Sequence, residues 1–152
     1  MTYALSCLIP DRLAAVGVVS TAVLMPRKEW CPEAPPMPVI AFHGSADRLA
    51  LYHGGKVWLV PKPIPDIPEW IDLWARRNGC GAPEESVEGI VIRKRYAGCA
   101  DGADVILNTI DGMGHVWPGG QHFPEWFAGR NSDSIDATEA MWEFFKAHPR
   151  KK

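Results

Sequence analysis

The sequence predicts an α/β fold, a mostly parallel sheet flanked by helices. Three observations carry that reading. Leu13 to Val19, Pro38 to Phe42 and Val105 to Ile110 are short continuous apolar runs, the pattern of strands buried on both faces. Two segments with helical periodicity, Asp66 to Asn78 and Ser134 to Ala147, alternate with them. The second and third runs each lead into a turn that carries a titratable side chain, His43-Gly44-Ser45-Ala46-Asp47 and Asp111-Gly112-Met113-Gly114-His115.

Taken in order, the chain opens with Met1, Leu5, Leu8 and Ile9 on one helical face and a break at Pro10. No cap precedes this amphipathic segment, so the domain is expected to be cut at its start. It has neither the basic region nor the small-residue cleavage site of a secretion signal. Asp66 and Glu69 predict a capping box for the first long helix. Ile67, Trp70, Ile71 and Trp74 fall on its inner face and Gly79 is its stop. Gly81 to Gly89 reads as a polar loop. Ile90 to Tyr96 reads as an extra strand or hairpin arm, with Arg93, Lys94 and Arg95 suited to an exposed edge. In the last helix Ala137, Met141, Phe144 and Phe145 face inward, with Pro149 beyond its end. The stretch from Met113 to Asp133 is a long loop rich in Gly, Pro and aromatics, and loops of that length in a compact domain usually carry function.

The 152 residues are about one domain, and a domain of that size buries roughly 70% of its unfolded surface. Hydrophobic content of 47% and charged content of 22% give no reason to expect disorder. No apolar run reaches the ~18 residues of a membrane span. A net charge of −2, with basic runs only at Arg93-Lys94-Arg95 and Arg150-Lys151-Lys152, argues against a nucleic-acid partner. Nothing in the sequence specifies an oligomeric state. Cys7, Cys31, Cys80 and Cys99 lack the paired spacing of a zinc site. In an oxidising compartment a Cys80–Cys99 bridge would staple the excursion between them, and Cys7–Cys31 is a second candidate pair. Reduced, the four are small buried hydrophobes.

In an open parallel sheet, ligands bind beyond the carboxyl ends of the strands, where both Asp47 and His115 are expected. Small residues around His115 let the backbone turn sharply and leave the imidazole accessible, as a general base requires. Asp47 is then the carboxylate that orients it. The plainer alternatives are a surface-loop histidine and an aspartate that caps a turn. Trp117 is either core or a wall of the cleft. The spacings of His43, His53, His115 and His122 match no common metal pattern, and His43 is expected to pack beside the acid loop. No metal and no cofactor are expected.

Several blocks together resemble the polyhydroxybutyrate depolymerase and feruloyl esterase-like family of α/β-hydrolases. These are Pro38 to Asp47, Pro68-Glu69-Trp70 through Cys80, Tyr96-Ala97-Gly98-Cys99, Gly114-His115-Val116-Trp117-Pro118-Gly119-Gly120 and Ile135 to Thr138. The resemblance implies the C-terminal half of such a hydrolase, one partial domain over residues 1–152, with Asp47 as triad acid and His115 as triad base. It implies an ester substrate, either a polymer or an aromatic ester, and an extracellular protein in the full-length family. In that fold the triad order is nucleophile, acid, histidine, so a serine on a Gly-x-Ser-x-Gly turn should precede Asp47. Ser6, Ser20 and Ser45 are the only serines up to that point and none has those flanking glycines. The chain is therefore expected to lack the nucleophile and to be inactive alone. The alternative is a non-catalytic module of the same fold that holds a polymer or aromatic ligand through Trp117, Trp126 and Phe127.

Overall fold

The computed structural model describes residues 2–21, 34–57 and 62–150. Its centre is a five-stranded sheet, β1 (Val16–Val19), β2 (Val39–Gly44), β3 (Pro83–Glu88), β4 (Val91–Tyr96) and β5 (Val105–Ile110), in the order β1-β2-β5-β4-β3. β1 pairs with β2 and β2 with β5 in parallel, while β4 pairs antiparallel with both β5 and β3. The fold is α/β as expected, but the sheet is mixed rather than mostly parallel. The physical reason is two connections too short for a crossover helix, the two-residue turn at Gly89-Ile90 between β3 and β4 and residues 97–104 between β4 and β5, each of which sends the chain back on itself. Gly89 takes φ 57 in the first of these, a conformation that favours glycine in tight hairpins.

Among the described residues four α-helices accompany the sheet, α1 (Thr2–Leu8), α2 (Ile67–Arg77), α3 (Glu125–Ala128) and α4 (Ala137–Ala147). Along β2 the side chains alternate between two cores. Val39 and Ala41 join Ile67, Trp70, Ile71 and Trp74 of α2 on one face, and Ile40 and Phe42 join Ala137, Met141 and Phe144 of α4 on the other. All six β2 residues are buried, which is why that run lacks polar alternation. Gly17 lets α4 approach β1, since a Cβ there would lie 2.7 Å from the Met141 Sδ.

Both long helices start at an aspartate cap. Asp66 Oδ1 accepts the Glu69 N–H at 2.8 Å, and Asp136 Oδ1 accepts the Glu139 N–H at 2.9 Å. The second cap places the start of α4 at Ala137, three residues after the position expected from the apolar pattern. At the other end of the chain, the apolar face expected from Met1, Leu5, Leu8 and Ile9 is not the face that α1 buries. Tyr3 and Ser6 are its buried residues, whereas Leu5, Leu8 and Ile9 are exposed. The Tyr3 ring decides this by packing 5.2 Å from both Trp70 and Trp74.

Two expectations about 81–96 are corrected. Pro83–Glu88, expected as part of a polar loop, is a strand whose six residues are all exposed. β4, expected as an exposed edge, lies inside the sheet, and its cations are taken up. Arg93 donates to Asn108, Lys94 pairs with Asp72 at 2.9 Å, and Arg95 pairs with Asp104 at 2.8 Å. Cys80, just past α2, and Cys99, just past β4, are joined by a disulfide that closes over this hairpin. Cys31, and with it the Cys7–Cys31 pairing, lies outside the described residues. Among the described residues no helix is long and apolar enough to cross a membrane.

Candidate active site

The parallel register of β2 and β5 pairs Phe42 with Asn108, His43 with Thr109 and Gly44 with Ile110, so the two following loops leave the sheet side by side. They are tied together at once. Ser45 N–H donates to Ile110 O at 3.1 Å and Ala46 N–H to Met113 O at 3.0 Å. The Ser45 hydroxyl donates to Asp111 Oδ1 at 2.7 Å and accepts the Gly112 N–H at 2.8 Å. Contact this close needs glycine. A Cβ on Gly44 would sit 2.1 Å from Met113 O, and one on Gly114 would sit 2.1 Å from Ala128 O. The histidine loop is clamped from its far side as well, by Gly114 N–H to Arg130 O at 2.9 Å and His115 N–H to Ala128 O at 2.6 Å.

This frame brings Asp47 and His115 together across 68 positions of sequence, with His115 Nδ1 2.9 Å from Asp47 Oδ2. A carboxylate only accepts, so Nδ1 carries the proton and donates it. The other carboxylate oxygen accepts N–H groups from Leu49 and Ala50, each at 2.8 Å. The Asp47 side chain is wholly buried and that of His115 is 38% exposed. Burial by itself would raise the Asp47 carboxyl. The hydrogen bond and charge of His115 and the two backbone donors together outweigh it and hold the carboxyl below its usual range. His115 is raised above the ordinary imidazole value, first by its hydrogen bond to Asp47, against the opposing effect of partial burial. Its Nε2 makes no hydrogen bond among the described residues. A buried carboxylate that fixes the tautomer and an exposed Nε2 form the arrangement by which a histidine takes a proton from a bound group.

The remaining expected residues are placed as follows. Trp117 is not core. It is 43% exposed on the histidine loop, with Nε1 donating to Thr138 Oγ1 of α4 at 3.0 Å. Trp126 and Phe127 lie further along the chain in α3, both exposed, with ring centroids 5.9 Å apart. Among the described residues no group of three or more His, Cys, Asp or Glu side chains is arranged to hold a metal ion. His53 pairs with Asp66 and His122 with Asp133, both at the surface. His43 is buried beneath the acid loop, with Nε2 2.7 Å from Ala50 O. Ser6 donates to Tyr3 O inside α1. Ser20, just past β1, takes φ 46, and its buried hydroxyl has no hydrogen-bond partner among the described residues.

The sequence placed Asp47 and His115 at neighbouring strand ends, where they meet, but did not show what holds them. Gly44 and Gly114 were visible as turn formers, whereas their close backbone approaches depend on strands distant in sequence. Ser45 lies inside the His43 to Asp47 motif, but its partner Asp111 is 66 positions away, so its bridging role follows from strand register and had no local sequence signal.

No family model matches the chain. Over 90 residues it is 36% identical to Feruloyl esterase B of Piromyces equi, a stretch covering 57% of this chain and 17% of that protein. Over 130 residues it is 29% identical to "Putative esterase NocK" of Nocardia uniformis subsp. tsuyamanensis, covering 73% of this chain and 37% of that protein. The chain thus spans well under half the length of either curated relative. Both likenesses are partial, and both support an esterase-like character.

Proposed function

We propose that this chain is the acid–base portion of a carboxylic-ester hydrolase on the α/β-hydrolase plan, one partial domain over residues 1–152. The observation that carries the reading is the buried Asp47 carboxylate holding the exposed His115 ring through Nδ1. In this reading a serine outside the 152 residues attacks an ester carbonyl, and His115 Nε2 takes its proton. Asp47 stabilises the resulting imidazolium, which then protonates the leaving alcohol. Water releases the acyl group by the reverse relay. Trp117 forms a wall of the substrate cleft, and no step calls on a cofactor. The substrate class is polyester or hydroxyacid oligomers, or feruloyl-type esters as the name of one relative suggests. The Cys80–Cys99 bridge suits the extracellular setting of that family.

In serine hydrolases, loss of the nucleophile costs about a millionfold in turnover, or roughly 8–9 kcal/mol of transition-state stabilisation. The 152 residues alone are therefore expected to run near the uncatalysed background. The test has two arms. Reading the gene in frame upstream of Met1 should reveal Gly-x-Ser-x-Gly-Gly. The longer product should hydrolyse methyl ferulate or hydroxybutyrate oligomers and lose that activity in His115→Ala. A longer product that carries the serine yet leaves both esters intact overturns the reading. A serine-directed phosphonate that labels Ser20 in the present chain would move the nucleophile inside it and overturn that assignment.

A second reading is favoured by the exposure of Trp117, Phe123, Trp126 and Phe127, which lie on the segment from the histidine turn through α3. Here the module binds a polymer or aromatic ligand without turning it over. Saturable binding to a polymer surface that survives His115→Ala, with no ester turnover in any longer product, is what it requires.

A further inference from the structure

Among the buried titratable groups that the hydrolytic relay leaves unused, His43 lies against the relay itself. His43 is the fifth residue of β2, 2% exposed, and its Nε2 lies 2.7 Å from Ala50 O and 3.5 Å from Asp47 Oδ2. Ala50 O can only accept, so Nε2 carries the proton and Nδ1 does not when the ring is neutral. Burial favours that neutral form and holds the imidazole below its ordinary value. The Ala50 bond and the Asp47 charge oppose this, and the charge of His115 adds to it.

Ala50 is thereby gripped at both ends. Its N–H donates to Asp47 Oδ1 at 2.8 Å and its C=O accepts from His43. The turn from Asp47 to Ala50 closes on itself, with the carboxylate as one latch and the His43 N–H as the other. The base of this arrangement is stiff. Thr109, the register partner of His43 on β5, bonds the Tyr52 hydroxyl at 2.6 Å, and the Tyr52 ring packs 5.8 Å from His43. The groups facing His43 are thus Asp47, His115 and Tyr52, and among them only Asp47 bears a full charge when the ring of His115 is neutral.

We infer that His43 is a positioning residue for the acid–base pair, aiming Asp47 at His115 Nδ1 through the shared Ala50 peptide. Without its N–H, the buried Ala50 carbonyl loses its donor and the turn opens to recover one. Oδ1 then loses the fixed amides of Leu49 and Ala50, and Oδ2 swings away from His115. The inference rests on the acid–base reading of Asp47 and His115, but it can be measured without turnover.

The readout is the titration of His115, followed by imidazole ¹⁵N and ¹H shifts in the purified 152-residue chain. His43→Leu should lower the His115 pKa in the same direction as Asp47→Asn does, toward the ordinary imidazole value. His43→Gln, which keeps a donor near the Nε2 position, should restore it. A folded His43→Leu chain with an unshifted His115 overturns the inference. Should His43→Leu not fold, the wild-type spectrum decides. His43 must show the Nε2–H tautomer and stay neutral where His115 has become protonated. The opposite tautomer, or ordinary titration of His43, overturns the inference. A normal outcome here with no ester hydrolysis by the longer product would leave the positioning role standing and remove the enzymatic one.

Discussion

The two halves of the sheet are held by different forces. In β1, β2 and β5 the strands run parallel and are covered on both faces, so apolar burial locks them. In β3 and β4 the strands run antiparallel, β3 is exposed along its whole length, and only the ends of β4 are buried. That hairpin is held by its backbone ladder, by polar contacts of Arg93, Lys94, Arg95 and Tyr96, and by the Cys80–Cys99 bridge. Asp47 and His115 sit at the carboxyl ends of the doubly covered strands. Their mutual geometry inherits the stiffness of close-packed side chains, while the hairpin adds area and little rigidity to the site.

The comparison predicts its largest losses in the parallel half. Trp74 is 1% exposed, packs with Tyr3 and Trp70, and donates Nε1–H to Met37 O. Trp74→Ala should cost about 3–5 kcal/mol in urea unfolding. Gly44→Ala should cost about 3 kcal/mol or more, because its Cβ meets backbone rather than a movable side chain. It should also separate the two loops, seen as a fall in the His115 pKa. A near-neutral Gly44→Ala would show that the strand ends are not closely joined.

Replacing Cys80 and Cys99 together by Ala should cost less than the Trp74 change. Cross-linking across 19 residues removes loop entropy worth about 3 kcal/mol from the unfolded chain, and the double change takes just two sulfur atoms from the α2 side of the core, to which Cys99 belongs and against which Cys80 packs. The His115 pKa should not move, because the bridge lies in the other half. A bridge whose loss shifts His115 would break the division between the halves.

Much of the fold was legible because burial writes itself into sequence. β2, β5, α2 and the inner face of α4 follow from apolar runs and 3.6-residue spacing, and Asp66 from its capping pattern. β3 was not legible. Pro83-Glu84-Glu85-Ser86-Val87-Glu88 buries nothing, so its strand character comes from pairing with β4, which local composition does not encode. α1 misled for the opposite reason: its apolar residues are conspicuous, but the aromatic cluster of Trp70 and Trp74 selects Tyr3 instead. At the site, Asp47 and His115 could be placed at strand ends. The latch from His43 to Ala50 and the bridge from Ser45 to Asp111 depend on register and turn geometry.

pH should act mainly through the parallel half, and the signs separate its three groups. Asp47 is held below its ordinary value. The stability it contributes is present above the unfolded carboxylate pKa of about 3.9 and is lost as pH falls through the folded value. His43 is also lowered, so the unfolded chain binds its proton first and stability declines as pH drops below about 6.5. His115 is raised. Its contribution is complete below about 6.5 and is lost as pH rises through the folded value, weakened by solvent screening at its exposed ring. Below about 6.5 the His115 contribution is constant while those of His43 and then Asp47 are lost, so urea midpoints should fall as the pH drops from there. Asp47→Asn should remove the limb in the carboxylate range, and an unchanged limb there would show that another carboxylate governs acid unfolding.

The smallest effect belongs to the hairpin's surface charge. Arg95 Nη2 lies 2.8 Å from Asp104 Oδ2, with the Arg95 side chain half exposed. The pair links β4 to the approach of β5, and its Coulomb attraction is offset by the side-chain entropy that holding the geometry requires. Arg95→Ala should cost no more than about 1 kcal/mol, and less in high salt. The Asp104 backbone still anchors the parallel half, since its C=O accepts the Val39 N–H at 3.0 Å, a bond that Arg95 does not touch. His115 titration should thus be indifferent to this substitution. A large, salt-insensitive loss in Arg95→Ala would mean that the charged strand supports the buried ones, and the two halves would have to be treated as one cooperative unit.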